Sequence, residues 1–435
     1  MSDKPTNNIK SFSILTLGCS KNVVDSEFLI ARLKGNELNY VQNIDEADAL
    51  IINTCGFIKP AKEENIQLIQ EASELRRQNK LKSLIVFGCL AERYADELRT
   101  QLPNVDHIFG LNSNDDILKA LVQNPKMELL GERELLTPRH YAYLKIADGC
   151  NHSCSFCAIP LIKGSYVSKP KELLIRETEM LVDKGVKELI LIAQDTTYYG
   201  IDLTGQRMLA ELLRSLSDIK GLEWIRLMYA FPKGFPDDVL NVMAERENIC
   251  KYVDIPLQHV SNKILKSMKR ETTRNEIEKY IEDIRTKVPG VTFRSTFIVG
   301  YPGETKNDFN ELYNFLKDVQ LDRVGVFTYS VEEGTQAFPL GDKIPEKFKE
   351  ERRNILMELQ QSISMKKNRN KIGTTLKVLI DEKVSPDNYI GRTQNDAPDI
   401  DNAVYLNSVE QIEPGTFVNV KIEKAEEYDL HGSVV

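Results

Sequence analysis

The sequence predicts a multidomain α/β protein: an N-terminal parallel-sheet α/β domain, a partial (β/α)6 barrel and a small five-stranded β-barrel. Three observations predict it. Apolar runs alternate with helical spacing up to about residue 138, and the same strand–helix unit then recurs six times. From Ile372 onward the pattern changes to short alternating strands. At 435 residues the chain exceeds one ordinary domain. The expected boundaries are 1–138, 139–344, a connecting helix at 345–370, and 371–435.

In the first segment, the run from Phe12 to Leu17 ends at Gly18-Cys19, Ala49 to Ile52 ends at Asn53-Thr54-Cys55, and Leu84 to Phe87 ends at Gly88-Cys89. Helical spacing fills 22–34 and 60–78. Such alternation builds a parallel sheet whose strands deliver their carboxyl ends to one edge, where ligands gather. All three cysteines stand at that position, so their thiols are expected to converge on a metal group. Three unrelated buried cysteines are the competing reading.

The middle segment runs through strands at 141–147, 187–192, 224–228, 252–255, 292–299 and 323–329, with helices at about 171–184, 206–218, 236–247, 274–288 and 305–318. Polar residues follow every strand, which is an active-site layout. Gln194 and Asp195 could hold a cofactor's hydroxyls or amine, or cap the next helix. Gly300 and Gly303 could let backbone approach a cofactor, or form a tight turn. His259 is read as a hydrogen-bonded core imidazole in preference to a proton carrier, and Cys250 as a small buried residue. Arg294 takes no assigned direction. The 345–370 helix should put Phe348, Ile355, Leu356, Leu359 and Ile363 on one face and solvate the rest.

Five strands in the last 65 residues suggest a small barrel of the oligonucleotide-binding type. Six basic residues there face twelve acidic ones, a balance of −6. A phosphate-binding surface wants the opposite sign, and an acidic module suits a basic protein substrate better. The whole chain is ordinary in composition, 41% hydrophobic and 28% charged, with a net charge of −8. No apolar run has membrane length, and Met1 to Asn8 has no signal-peptide core. A cytoplasmic location is expected, where seven cysteines serve as metal ligands before disulfides.

The centre of the chain's chemistry is Gly149-Cys150-Asn151-His152-Ser153-Cys154-Ser155-Phe156-Cys157, a C-x3-C-x2-C loop behind the strand from Tyr141. Zinc sites more often use two C-x2-C knuckles or Cys/His mixtures closing a tetrahedron. Three thiolates on a four-iron cube leave one iron open for chemistry. A zinc site completed by a distant fourth ligand is the alternative. With Phe156 before its last cysteine, the loop resembles the radical S-adenosylmethionine superfamily.

Over nearly its whole length the chain resembles the methylthiotransferases of that superfamily, whose C-terminal module is the TRAM domain. The stretches Asp254 to His259 and Gly300 to Thr305 fit as well. Gly391 to Asp401 and Tyr428 to Gly432 resemble the branch acting on an aspartate of ribosomal protein S-12. Lys163 and Lys169 stand where relatives commonly carry Arg, and His152 replaces another common Arg. The resemblance implies two [4Fe-4S] clusters. Cys150, Cys154 and Cys157 would hold the one that binds S-adenosylmethionine, with Phe156, Gln194, Asp195, Gly300 and Gly303 near that cofactor. Cys19, Cys55 and Cys89 would hold the auxiliary one, which carries the incoming sulfur. It further implies an external electron donor and sulfur source, a monomer, no membrane partner, and nucleic acid as the less favoured substrate. The same chemistry on a tRNA adenosine is the nearer rival. A non-catalytic iron–sulfur RNA-binding protein is the other.

Overall fold

The computed structural model describes residues 9–127 and 133–435. The reading of Met1 to Asn8 and the part of the first segment at 128–132 lie outside the described residues. The first sheet comprises β1 (Ser11–Thr16), β2 (Asn39–Tyr40), β3 (Ala49–Thr54), β4 (Ser83–Gly88) and β5 (His107–Ile108). Its order is β2-β1-β3-β4-β5 and every pair is parallel. β3 and β4 are buried along their full length, as strands covered on both faces must be. One face packs Phe12, Leu29, Ile51 and Ile85, the other Leu50, Ile69, Val86 and Leu98. The two-residue edge strands β2 and β5 escape sequence reading because they are too short to display a period of two.

The second sheet is open and six-stranded. It comprises β6 (Tyr141–Lys145), β9 (Glu188–Ile192), β10 (Trp224–Leu227), β11 (Ile249–Asp254), β12 (Thr292–Val299) and β13 (Arg323–Thr328), and a two-stranded ribbon of β7 (Ala147–Asp148) and β8 (Val167–Ser168) lies between the first two. The order β13-β12-β11-β10-β9-β6 is wholly parallel, the expected partial barrel. Alternation sends Ala142, Leu144, Leu189, Leu191, Ile225 and Leu227 toward the helices. Their neighbours Tyr141, Tyr143, Ile190, Ile192, Trp224 and Tyr252 line the lumen. Two other parts of the chain fill that lumen: Val24 and Phe28 of helix Ser20–Gly35, and Leu379, Ala397 and Phe417 of the C-terminal region.

The C-terminal strands β14 (Thr375–Ser385), β15 (Asn388–Thr393), β16 (Val404–Asn407), β17 (Phe417–Ala425) and β18 (Leu430–Val434) close a barrel in the order β14-β15-β16-β18-β17. The segment between β15 and β16 seals the amino-terminal end of the six-stranded sheet. Arg226 donates to the Gln394 carbonyl at 2.8 Å, the Tyr252 hydroxyl to Asp401 at 2.6 Å, and Arg323 to Asp396 at 2.6 Å. Arg294 also points inward, 2.9 Å from Asp254 and 3.5 Å from Asp401.

The long helix Glu346–Arg369 departs from its expected face. Leu356 and Ile363 are buried and Ile355 and Leu359 half-buried, but Phe348 is 53% exposed, and Lys349 one position on is buried instead. The Lys349 stem lies over Gly300, while its ammonium reaches the Tyr329 carbonyl, Asp342 and Glu346. A long amphipathic side chain covers that surface and keeps its charge paired, which a phenyl ring at the same place would not do.

Candidate functional site

Cys19, Cys55 and Cys89 follow the ends of β1, β3 and β4, three adjacent strands. Thr54 pairs with Gly88, so Cys55 and Cys89 emerge level. Gly88 has φ +102, and Cys89 opens helix Cys89–Gln101; Cys19 caps helix Ser20–Gly35. Helix amino-termini favour thiolates over thiols. The strand-end arrangement is braced by polar side chains. Asn22 donates to the carbonyls of Leu17 (2.7 Å) and Thr54 (3.1 Å), and the Cys55 amide donates to Asn65 Oδ1 at 2.8 Å. Burial pushes the Cys55 thiol up and the Cys89 thiol up to about 12; Cys19 adds to both, and Cys55 adds to Cys89.

The second trio sits on a loop held from three sides. The Cys150 amide donates to the Gly164 carbonyl (3.1 Å), the Ser155 amide to the Met268 carbonyl (3.1 Å), and the Ala337 amide to the Ser155 carbonyl (2.7 Å). The Ser155 hydroxyl lies 3.0 Å from that of Tyr301. Phe156 is the loop's apolar anchor, packed with Ile264, Met268, Tyr301, Tyr329 and Ala337. Burial, with the Cys154 thiol beside them, pushes Cys150 up to about 11 and Cys157 up to about 12. Arg270, which sequence reading missed, donates to Cys154 Sγ at 3.2 Å. It follows a lysine on an ordinary polar loop, so no local pattern marks it.

Asp195 is buried and doubly engaged: Oδ1 accepts from the Thr197 amide at 2.9 Å and Oδ2 lies 2.7 Å from His152 Nε2. It therefore caps and also orients a side chain inside the cysteine loop. The His152 ring stacks on Phe231 at 3.6 Å. Gln194, one position earlier, is half-buried. Gly300 has φ +80, and a Cβ there would lie 2.4 Å from Lys349 Cγ, so packing alone demands glycine; Gly303 has φ +88 with open space around it. The turn between them closes on Glu304, whose carboxylate accepts from the Gly300 and Tyr301 amides. His259 is a core imidazole: its Nδ1 accepts from the amides of Val260 and Ser261, both at 2.9 Å, and its Nε2 has no partner. Cys250 is buried, 1% exposed.

The two trios face one another across a shared wall. Cys89 packs against Ala158 and Ile162, immediately beyond Cys157. Lys163 lies 3.2 Å from Asp148 and 3.9 Å from Asp25, with Lys145 completing a four-charge cluster whose lysines are covered and whose carboxylates are partly exposed. Lys163 also lowers the cost of a thiolate at Cys89 and Cys55. On a second contact, Glu332 after β13 pairs with Lys62 (2.9 Å) and Arg93 (3.0 Å) of the first segment. Among the described residues no three His, Cys, Asp or Glu side chains stand close enough to hold a single metal ion. A four-iron cube takes one thiolate per iron, and the thiol chemistry with nearby cations suits such a cluster.

Three family models match along the chain: Uncharacterized protein family UPF0004 over residues 11–110, Radical SAM superfamily over 144–316 and TRAM domain over 372–435. The chain is 50% identical over 426 residues to the ribosomal protein uS12 methylthiotransferase RimO of Chloroherpeton thalassium, covering 97% of this chain and 98% of that one. It is 49% identical to the protein of the same name from Cytophaga hutchinsonii, with 97% of both chains covered. Among solved structures it is similar to the radical S-adenosylmethionine methyltransferase TsrM from Kitasatospora setae. That match has a TM-score of 0.55 at 13% identity over 76% of this chain and 77% of that one, a likeness of fold. No helix among the described residues is long and apolar enough to cross a membrane. The chain belongs to the RimO family of methylthiotransferases, enzymes of the radical S-adenosylmethionine superfamily.

Proposed function

We propose that this enzyme adds a methylthio group to the β-carbon of an aspartate of ribosomal protein S-12, with two [4Fe-4S] clusters. Cys150, Cys154 and Cys157 would hold the cluster that binds S-adenosylmethionine, and Cys19, Cys55 and Cys89 the auxiliary cluster. When bound, these groups supply the electron, the radical, the sulfur and the methyl group that no side chain can provide. The observation that supports the reading is the packing of Cys89 directly onto the segment following Cys157, as two cysteine trios serving one chamber would require.

The chain's own residues orient and shield. Arg270 supplies a cation to Cys154 Sγ, and its guanidinium lies over Phe231 at 4.4 Å. Phe156 seats the loop, and Asp195 fixes the His152 imidazole beside it. Gln194 and Gly303 would meet the cofactor, and Gly300 shapes the same turn. The Lys163, Asp25, Asp148 and Lys145 cluster holds the two trios in register. The enzyme would act in the cytoplasm as a monomer with an external reductant and sulfur source.

The test is an anaerobic reaction of the reconstituted enzyme with S-adenosylmethionine, reductant and sulfide, offered S-12 and bulk tRNA in parallel and read by mass spectrometry. A methylthio gain on S-12, abolished by Cys55→Ala and by Cys154→Ala, is expected. The same gain on a tRNA adenosine, with S-12 unchanged, would overturn the substrate assignment.

A further inference from the structure

Among the described residues, one covered lysine beside the cysteine trios has no anion next to it. Lys21 lies in the first turn of helix Ser20–Gly35, two residues beyond Cys19, and is only 5% exposed. Its helical stripe continues through Val24 and Phe28, which enter the barrel lumen against Tyr141 and Tyr143. The Lys21 ammonium sits 3.2 Å from the centroid of the Tyr229 ring. Among the described residues no carboxylate lies within ion-pair range of it, and no hydrogen bond satisfies its donors.

Every comparably buried lysine of the chain is treated differently. Lys145 and Lys163 both meet Asp25 and Asp148, and Lys349 meets Asp342 and Glu346. Covering most of a lysine side chain takes much of the water from its ammonium, and an aromatic face returns only part of that cost. A charge kept in that state marks a place for an anion that arrives with a ligand.

The ring beneath it is held with strain. Tyr229 has φ +60, unusual outside glycine. Its backbone is pinned on both sides: its amide donates to Asp254 Oδ2 at 3.1 Å, and its carbonyl accepts from the Thr196 amide at 3.0 Å. Two residues further on, Phe231 stacks on His152 between Cys150 and Cys154. Lys21 and Tyr229 therefore stand between the two cysteine trios, with Cys19 on one side and the C-x3-C loop on the other.

We propose that Lys21 is the recognition site for the carboxylate of the substrate aspartate, holding its β-carbon between the two trios with the Tyr229 ring as floor. The inference deepens the proposed function and rests on it. It assigns to this ammonium the choice of aspartate over asparagine, which differs by the loss of the negative charge. The competing anion of the same chemistry is the carboxylate of S-adenosylmethionine, and the test separates the two.

The experiment compares the reconstituted full-length enzyme with its Lys21→Met and Lys21→Arg variants. Each is offered S-12 and S-12 in which the modified aspartate is replaced by asparagine, with binding, S-adenosylmethionine affinity, iron content and thermal stability measured in parallel. The wild type should bind the aspartate form roughly 10- to 100-fold more tightly, the range of a charge-assisted hydrogen bond. Lys21→Met should lose that preference while keeping its iron and its S-adenosylmethionine affinity, and Lys21→Arg should restore part of it. Lys21→Met should also melt no lower than the wild type, because it removes a buried charge that lacks a partner. Retention of the aspartate preference by Lys21→Met, or a fall in its S-adenosylmethionine affinity instead, overturns the assignment. A wild type that modifies no form of S-12 overturns the substrate reading and this inference with it.

Discussion

Glu188→Gln should undock the C-terminal barrel from the six-stranded sheet. Glu188 and Arg226 are wholly buried, 2.7 Å apart, and Arg392 of β15 approaches the other Glu188 oxygen at 2.8 Å. Arg392 is also gripped by Asp381 at 2.7 and 2.9 Å, and Asp381 meets His140 at 2.8 Å. Burial alone would push the Glu188 carboxyl up, but the two guanidiniums outweigh it and hold it below the usual carboxylate range. Two arginines are thus balanced by two carboxylates, Glu188 wholly buried and Asp381 largely so. Removing one carboxylate strands a cation, a change worth about 3–5 kcal/mol for a buried pair. Protection of the β15 amides in native-state hydrogen exchange reports the opening directly. It should weaken by roughly two to nearly four decades, at about 1.4 kcal/mol per tenfold. Because the carboxylate is depressed, the wild-type contact is fully present above the unfolded pKa of about 4.3 and is lost as pH falls through the still lower folded value. Glu188→Gln should therefore behave at neutral pH as the wild type does in acid. Unchanged β15 exchange in the variant would show that apolar packing at Trp224, Leu379 and Phe417 holds the barrel unaided, and would refute the reasoning.

Three further perturbations have defined directions. His259, lowered to about 4 by burial, is neutral in the fold and must take up a proton on unfolding in acid. Stability present above the unfolded value of about 6.5 should fall by up to about 3 kcal/mol as pH drops through 4, and His259→Asn, which keeps an acceptor for the Val260 and Ser261 amides, should flatten that part of a urea-denaturation pH profile. Arg270→Met removes the cation donating to Cys154 Sγ, so a spectroscopic redox titration should find the proposed cluster of that loop harder to reduce. Gly88→Ala adds a Cβ at 2.6 Å from Asn53 Oδ1 and 2.8 Å from the Thr54 carbonyl with φ at +102, whereas Gly303→Ala meets nothing within 4 Å at φ +88. Both carry the backbone cost of about 1–3 kcal/mol; only Gly88→Ala should lose more than that in denaturant titration and also lower the iron held by the first trio.

The strand–helix alternation was legible because its strands are long enough to show their pattern, and all six strands of the partial barrel lie where their apolar runs stand. Legibility failed where meaning depends on partners far away in sequence. Asp195 looks like a helix cap, and it is one; its second oxygen on His152 is invisible without the fold. Arg270 and Glu332 sit in polar loops whose composition says nothing about Cys154, Lys62 or Arg93. Gly300 was readable as a turn or as a backbone approach to a ligand. What occupies the missing Cβ volume is Lys349, 49 residues later on a helix expected to be solvated there. Phe348 misled for a related reason: helical periodicity ranks residues by polarity, and a paired lysine stem outranked a phenyl ring.

The charge of the C-terminal barrel shows why a sum over a segment is not a surface. Of its twelve acidic residues, Asp381, Asp396 and Asp401 turn inward onto Arg392, Arg323 and Arg294. Those acids neutralise arginines of the barrel and of the six-stranded sheet, not a ligand. What remains exposed is Glu382, Asp387, Asp399, Glu410, Glu413, Glu423 and Glu427 against Lys377, Lys383, Lys421 and Lys424, seven acids to four bases. The outward sign is still negative, and that disfavours a phosphate backbone. Its size is half of what the sequence sum suggested, too small to select one basic protein among many. Under the role proposed for Lys21, selection falls to a place where a single charge can decide, between the two cysteine trios, where its ammonium would distinguish a carboxylate from an amide at a contact distance much shorter than the screening length.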